Sequence, residues 1–353
     1  MDKFDGNAIV YYQDAFNTTN GKTAHGLVRY TESYRVVGVI DSRYADRDSG
    51  EVLDNRRNNI PIFGSLAETL AKLKSVTHFI IGLTPDGGRL NAQAKEAVIS
   101  AINAGLNVDC GLHDILSDDE TIASLAREKG VTIRDVRKPP PLSRLHFFTG
   151  KVEEVGSLKV AVLGTDSAVG KRTTAWLIVN ELRRRGHSAE LIGTGQTAWL
   201  QGARYSIMLD SLVNDFVTGE IEHAIWSAWH DLKPAVIVLE GQGSLLNPAY
   251  PDGFELITAG RPDVIVLQHA PARTHYDGFP QYQLHPLAKQ LRAVEEISDK
   301  PVIAISINHE GIPIDKIAEI CLKISQQTNR LVFDPLRDGV GRLADLLEQD
   351  IKK

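Results

Sequence analysis

Residues 160–174 read Val-Ala-Val-Leu-Gly-Thr-Asp-Ser-Ala-Val-Gly-Lys-Arg-Thr-Thr, and this stretch constrains the fold more than any other. An apolar strand runs into a glycine-flanked loop, a lysine, hydroxyl residues and then an apolar helical pattern. That order makes a phosphate cradle. Loop N–H groups and the N-terminus of the following helix converge on phosphate oxygens, and the lysine adds a point charge. A polyanionic ligand is the first expectation for the chain.

The loop departs from the common G-x-x-x-x-G-K-[ST] spacing. Five residues separate Gly164 from Gly170 where the pattern has four, so Thr165 stands in the place of the first glycine. Arg172 follows Lys171 directly, so a magnesium-binding hydroxyl would have to come from Thr173 or Thr174. The alternative is an ordinary strand-to-helix turn whose glycines only permit tight packing. Residues 235–243, Ala-Val-Ile-Val-Leu-Glu-Gly-Gln-Gly, favour the ligand reading. They form a second buried-strand pattern ending in a carboxylate, Glu240, where a phosphate-bound magnesium needs a ligand at the end of a neighbouring parallel strand.

At 353 residues the chain exceeds what one hydrophobic core supports, which predicts two domains. A net charge of −6 offers no basic field for nucleic acid. Cys110 and Cys321 lie far apart and lack metal-ligand spacing, so both read as packed hydrophobes in a reducing compartment. The sequence reads without a charged-then-apolar leader or an apolar stretch long enough to cross a bilayer. The expectation is a cytoplasmic protein with a small-molecule substrate and no membrane partner.

Three prolines after Lys138 mark the boundary, giving a first domain at 1–138, a stiff linker at 139–156 and a second domain at 157–353. In the first, strand patterns at 7–12, 35–40, 78–83, 106–110 and 131–136 alternate with helical spacing at 66–74, 91–104 and 118–129. Such alternation predicts a Rossmann-like parallel sheet. The dinucleotide fingerprint G-x-G-x-x-G is absent after its first strand, although Asp41 ends the second strand where a ribose-binding carboxylate would stand. In the second domain, strands are expected at 159–163, 189–192, 235–239, 263–268 and 301–307. A helix is expected at 173–185, closed by Gly186. The fold class is therefore α/β with two parallel-sheet domains, an N-terminal Rossmann-like domain and a C-terminal P-loop NTPase-like domain.

The run 62–68 with 80–88 is similar to the CoA-binding domain of succinyl-CoA synthetases. The 164–171 loop taken with Glu240-Gly-Gln-Gly resembles the dethiobiotin synthetase branch of P-loop proteins. That resemblance implies metal roles for Asp166 and Glu240 and a phosphate role for Lys171, with Arg172 as the departure from the pattern. A wider resemblance rests on four motifs in order: Gly-Thr-Asp-x-x-x-Gly-Lys-x-Thr-Thr, Gly193-Thr-Gly-Gln-Thr, Asp215-Phe-Val-x-Gly, and Glu240-Gly-Gln-Gly-Ser-Leu-Leu-x-Pro-Ala-Tyr. Together they resemble a two-domain family long described as of unknown function. Some of its members are D-glutamate N-acetyltransferases that act beside a dehydratase or epimerase of the enolase superfamily. The resemblance implies acetyl transfer from acetyl-CoA to D-glutamate or a related amino acid.

All of the motif loops leave the carboxyl ends of parallel strands, so they are expected to share one crevice. Gly164, Thr165, Asp166, Ser167, Ala168, Val169, Gly170, Lys171, Arg172, Thr173 and Thr174 form the candidate cofactor loop, for acetyl-CoA or for ATP. Gly195, Gln196, Thr197, Gly241, Gln242, Gly243, Ser244 and Arg273 are substrate candidates. Lys171, Asp215, Glu240 and His269 are catalytic candidates, with Asp215 or His269 as general base. The competing class is an ATP-dependent ligase or kinase, in which Thr173, Asp166 and Glu240 hold magnesium. The apolar run 224–229 leaves room for a homo-oligomer.

Overall fold

The structure, a computed structural model, describes residues 4–241 and 243–351, without the side chains at 19 and 86. It divides into two compact units, one of residues up to Pro140 together with Gln196–Gly202, the other of Pro141–Gly195 and Ala203 onward.

The first unit is a six-stranded sheet of β1 (Gly6–Tyr11), β2 (Tyr34–Ile40), β3 (Ile62–Phe63), β4 (His78–Ile81), β5 (Asn107–Cys110) and β6 (Ile133–Asp135). Its order is β3-β2-β1-β4-β5-β6, every pairing parallel, as the strand and helix alternation predicts. The helices start where local chemistry says they should. Ser65 caps Leu66–Lys72 by accepting from Glu68 N, while the Glu68 carboxylate reaches back to accept from Gly64 N, one residue before the cap. Asn91 and Asp119 cap Ala92–Asn103 and Glu120–Lys129, and Gly130 closes the latter in the left-handed region.

The loop after β1 turns back over the strand ends and fills them with its own aromatics. Phe16 is fully buried, edge-on to Tyr12, His25 and Tyr44. Asp41, read from sequence as a ribose-type carboxylate, spends its oxygens on Phe16 N, Arg43 N and the Arg43 guanidinium. The position is right for a ribose ligand, but the partners are the protein's own.

The second unit carries β7 (Leu158–Gly164), β8 (Ala189–Ile192), β9 (Val236–Glu240), β10 (Val264–His269), β13 (Val302–Ile307) and β14 (Leu331–Phe333), in the order β14-β13-β10-β7-β9-β8 and again all parallel. A short antiparallel hairpin, β11 (His275–Tyr276) with β12 (Phe279–Gln283), follows β10. β7 is central, with β9 and β10 on either side, so the loops leaving these three strands share one end of the sheet. The interior is apolar from β7 outward, with Val160, Ala161, Val162, Ile237, Leu239, Ile265 and Leu267 at or near zero exposure.

One boundary and one surface reading differ from the sequence reading. Residues 141–156, read as linker, belong to the second unit, because their backbone is hydrogen-bonded to the helix Asn214–Leu232. Glu222 accepts from Thr149 N and Val152 N, and Glu220 accepts from His146 N. The run 224–229, read as an apolar patch, lies largely within this unit. Ala224, Ile225 and Ala228 are buried, and the indole of Trp226 donates to Glu154.

Gly219 is the glycine of the Asp215-Phe-Val-x-Gly motif, and its role follows from this strap. A Cβ there would lie 2.0 Å from the His146 carbonyl oxygen and 2.7 Å from the Phe147 carbonyl carbon, both backbone. Gly219→Ala is therefore expected to destabilise the chain by about 1–3 kcal/mol through overpacking. The measurement is urea unfolding, where the midpoint should fall at unchanged slope; an unchanged midpoint would show that the strap gives way at no cost.

Candidate functional site

The loop between β7 and the helix Lys171–Arg184 adopts its conformation through two left-handed residues, Ala168 at φ 49° and Gly170 at φ 105°. Gly170 is the N-cap and supplies no side-chain cap, so the helix start is left to whatever the loop holds. Val169, fully buried, anchors the loop. Thr174 is also buried and donates to Gln268 Oε1 at 2.6 Å, while Arg172 and Thr173 sit half-buried on the first turn.

Lys171 folds back over the strand end. Its Nζ donates to the carbonyl oxygens of Asp166 at 2.7 Å and Gly243 at 2.8 Å. Gly164 makes room for this path, since a Cβ there would lie 2.9 Å from Lys171 Cδ and Nζ. Gly243 has a similar reason, because a Cβ would meet the Tyr250 carbonyl oxygen at 2.0 Å. The lysine thus ties the loop after β7 to the loop after β9.

Asp166 is fully buried and its carboxylate accepts four hydrogen bonds. Oδ1 takes Asn247 Nδ2 at 2.9 Å and Ser167 N at 2.7 Å; Oδ2 takes an Arg273 guanidinium nitrogen at 3.0 Å and Asp277 N at 2.9 Å. The Arg273 guanidinium also donates to the Ser167 and Ala168 carbonyls and pairs with Glu310. Arg273, a substrate candidate from sequence, is here the strap that holds the loop. Asp166, a metal candidate from sequence, has its oxygens engaged by neutral and cationic donors. Among the described residues no group of three or more His, Cys, Asp or Glu side chains could hold a metal ion.

His269 ends β10 beside the loop. Its Nδ1 lies 3.0 Å from Thr165 Oγ1, and burial alone pulls its pKa down from 6.5 to about 4, so the imidazole is neutral at pH 7. The unfolded chain then binds a proton on this residue before the folded one does, and stability falls as pH drops from 6.5 toward 4. At roughly 1.4 kcal/mol per pH unit the full effect is about 3 kcal/mol. His269→Gln should flatten that part of the pH dependence in urea titrations at pH 7 and 4.5; equal losses in both proteins would contradict it.

The remaining candidates divide. Glu240 is buried at the end of β9, its carbonyl accepting from Thr194 Oγ1. Gly241, Gly243 and Ser244 follow it to the same end of the sheet; Gln242 lies outside the described residues. Asp215 is exposed on the first turn of the helix Asn214–Leu232. Gly195 belongs to the second unit, while Gln196 and Thr197 belong to the first. Thr197 Oγ1 is 2.5 Å from Thr23 Oγ1, and Gln201 Nε2 donates to the carbonyls of Gly26 and Tyr30.

Sequence reasoning passed over two residues. Asn247 is the position left open in the Glu240 motif, and its amide holds Asp166. Asp252 lines a cavity of about 10 Å³ with Gly164, Lys171, Gly243 and Ser244. A Pro-Asp-Gly turn signal was present at 251–253, but such a signal names a turn, not a site. A larger hollow, about 460 Å³, opens at the opposite ends of the strands near Pro301 and Arg330, away from the lysine loop.

A doubly wound parallel sheet with a lysine loop at its central strand ends defines a P-loop protein, here joined to a Rossmann-like unit. The chain belongs to the DUF1611 family: the profile described as "Domain of unknown function (DUF1611_C) P-loop domain" matches residues 146–344, and the DUF1611_N Rossmann-like domain matches 42–139. A relative named D-glutamate N-acetyltransferase, from Tritonibacter scottomollicae, is 31% identical over 284 residues, covering 78% of this chain and 83% of the relative. Another of that name, from a Pseudoalteromonas species, is 30% identical over 77% and 81%. The crystal structure of a DUF1611 family protein from Anabaena variabilis matches with a TM-score of 0.89 at 28% identity, covering 98% of this chain and 99% of that one. No helix among the described residues is long and apolar enough to cross a membrane.

Proposed function

We propose that the protein transfers the acetyl group of acetyl-CoA to the amino group of D-glutamate or a related amino acid. The observation that carries this reading is that two relatives named for that activity align with more than three quarters of the chain. The lysine loop supports it. CoA is a phosphate-rich acyl donor, and an uncapped helix start beside a lysine bonded to two neutral carbonyls suits phosphate oxygens.

The second reading is a magnesium- and ATP-dependent ligase or kinase, favoured by buried Glu240 on the strand beside β7. Its donor set fits poorly, because Asp166 is already bound to Arg273 and three further donors.

The test offers the protein acetyl-CoA with a panel of D- and L-amino acids and follows CoA thiol release, with ATP and magnesium in a parallel arm. Thiol release that needs the amino acid, but neither nucleotide nor magnesium, is the expected result. ADP formation with no thiol release would overturn it in favour of the ligase or kinase.

A further inference from the structure

The small cavity at the ends of β7 and β9 carries an arrangement that the sequence motifs did not assign. Lys171, Ser244 and Asp252 all line it. Ser244 Oγ is buried, the residue only 2% exposed, and it has no hydrogen-bond partner among the described residues. Such a hydroxyl is unusual in a folded interior, since leaving it unpaired costs desolvation energy that most sites avoid. Asp252 is partly buried and its carboxylate accepts from Gly243 N.

Acetyl transfer to an amino acid needs two things near the reacting atoms: a proton acceptor for the substrate ammonium and a donor for the carbonyl oxygen as its charge grows. Among the acidic candidates from sequence, Glu240 does not line this cavity, and the other two are spent or remote. Asp166 holds four donors, and Asp215 lies exposed on a helix start. His269 is neutral but bonded to Thr165. Resting on the acetyltransferase reading, we infer that Asp252 accepts the proton of the substrate ammonium and that the Ser244 hydroxyl donates to the thioester oxygen.

The step balances. Asp252 takes one proton from the ammonium, and the neutral nitrogen forms a C–N bond to the thioester carbon while the C=O electron pair moves onto oxygen, facing the Ser244 hydroxyl. The pair returns, the C–S bond breaks, and the thiolate leaves with the second nitrogen proton as the CoA thiol. Asp252 returns its proton to solvent. The Lys171 charge beside the cavity favours the neutral amine over the ammonium. Burial, with Glu255 and Asp210 nearby, raises the Asp252 pKa against the opposing pull of Lys171, which makes it a stronger base than an exposed carboxylate.

The experiment measures acetyl transfer to D-glutamate by wild type, Asp252→Asn, Asp252→Glu and Ser244→Ala between pH 7 and 9.5, with acetyl-CoA affinity and melting temperature as controls. Asp252→Asn should lose about 10²- to 10⁴-fold in kcat at pH 7 with acetyl-CoA affinity unchanged. Its deficit should shrink as rising pH neutralises the amine in solution, and Asp252→Glu should recover part of the rate. Ser244→Ala should lose about 100-fold at every pH. Full turnover by Asp252→Asn, or a deficit that pH leaves unchanged, overturns the proton-acceptor role while the acetyltransferase reading stands. Wild type that transfers no acetyl group at any pH overturns both together.

Discussion

On the proposed acetyltransferase reading, Lys171→Met should lower kcat/KM for acetyl transfer by about 10²- to 10³-fold, the cost of removing one preorganised charge from the site. Methionine keeps the apolar stem, which runs over Gly164, and removes only the ammonium. The carbonyls of Asp166 and Gly243 lose their donor, so the melting temperature should also fall by a few degrees. Calorimetric titration with acetyl-CoA separates the two effects. Weaker acyl-donor binding in a protein that still melts cooperatively assigns the lysine to phosphate. Wild-type affinity and turnover in Lys171→Met would remove it from the site and leave it as a tie between two loops.

Arg273→Ala carries the larger structural effect. It leaves the Asp166 carboxylate, fully buried, with three N–H donors but without its guanidinium partner, and it frees the Ser167 and Ala168 carbonyls. Removing one partner of a buried ion pair costs about 3–5 kcal/mol. For a chain of 353 residues that corresponds to a fall of about 4–7 °C in melting temperature. Arg273→Lys should recover only part of the loss, because a single ammonium cannot reach the carboxylate and two carbonyls at once. Differential scanning calorimetry decides between roles. A shift under about 2 °C would return Arg273 to the substrate side, where the sequence reading had it.

The candidate site was legible in its chain-local parts. The strand-loop-helix at 160–174 could be read because its elements are contiguous and its glycines answer local demands. Gly170 needs a left-handed φ, and Gly164 must let Lys171 pass. The motif at Asp215-Phe-Val-x-Gly was seen, but its meaning was not. Its aspartate is exposed, whereas its glycine is fixed by the carbonyl of His146, a contact that no periodicity reports.

What the sequence determined by itself is the class of fold and the location of the phosphate-type loop. Apolar runs of strand length alternating with capped helices leave a parallel sheet as the way to bury both faces of each strand. What only the tertiary structure decided is who partners whom. Asp166 meets Asn247 across 81 residues of chain and Arg273 across 107. Residues 196–202 are claimed by the first unit although they follow a strand of the second, and Asp252 comes to stand beside Lys171. The physical reason is the same in each case. Hydrophobic period and turn chemistry act over a few residues, whereas a buried carboxylate is satisfied by whichever donors the folded sheet brings to its end.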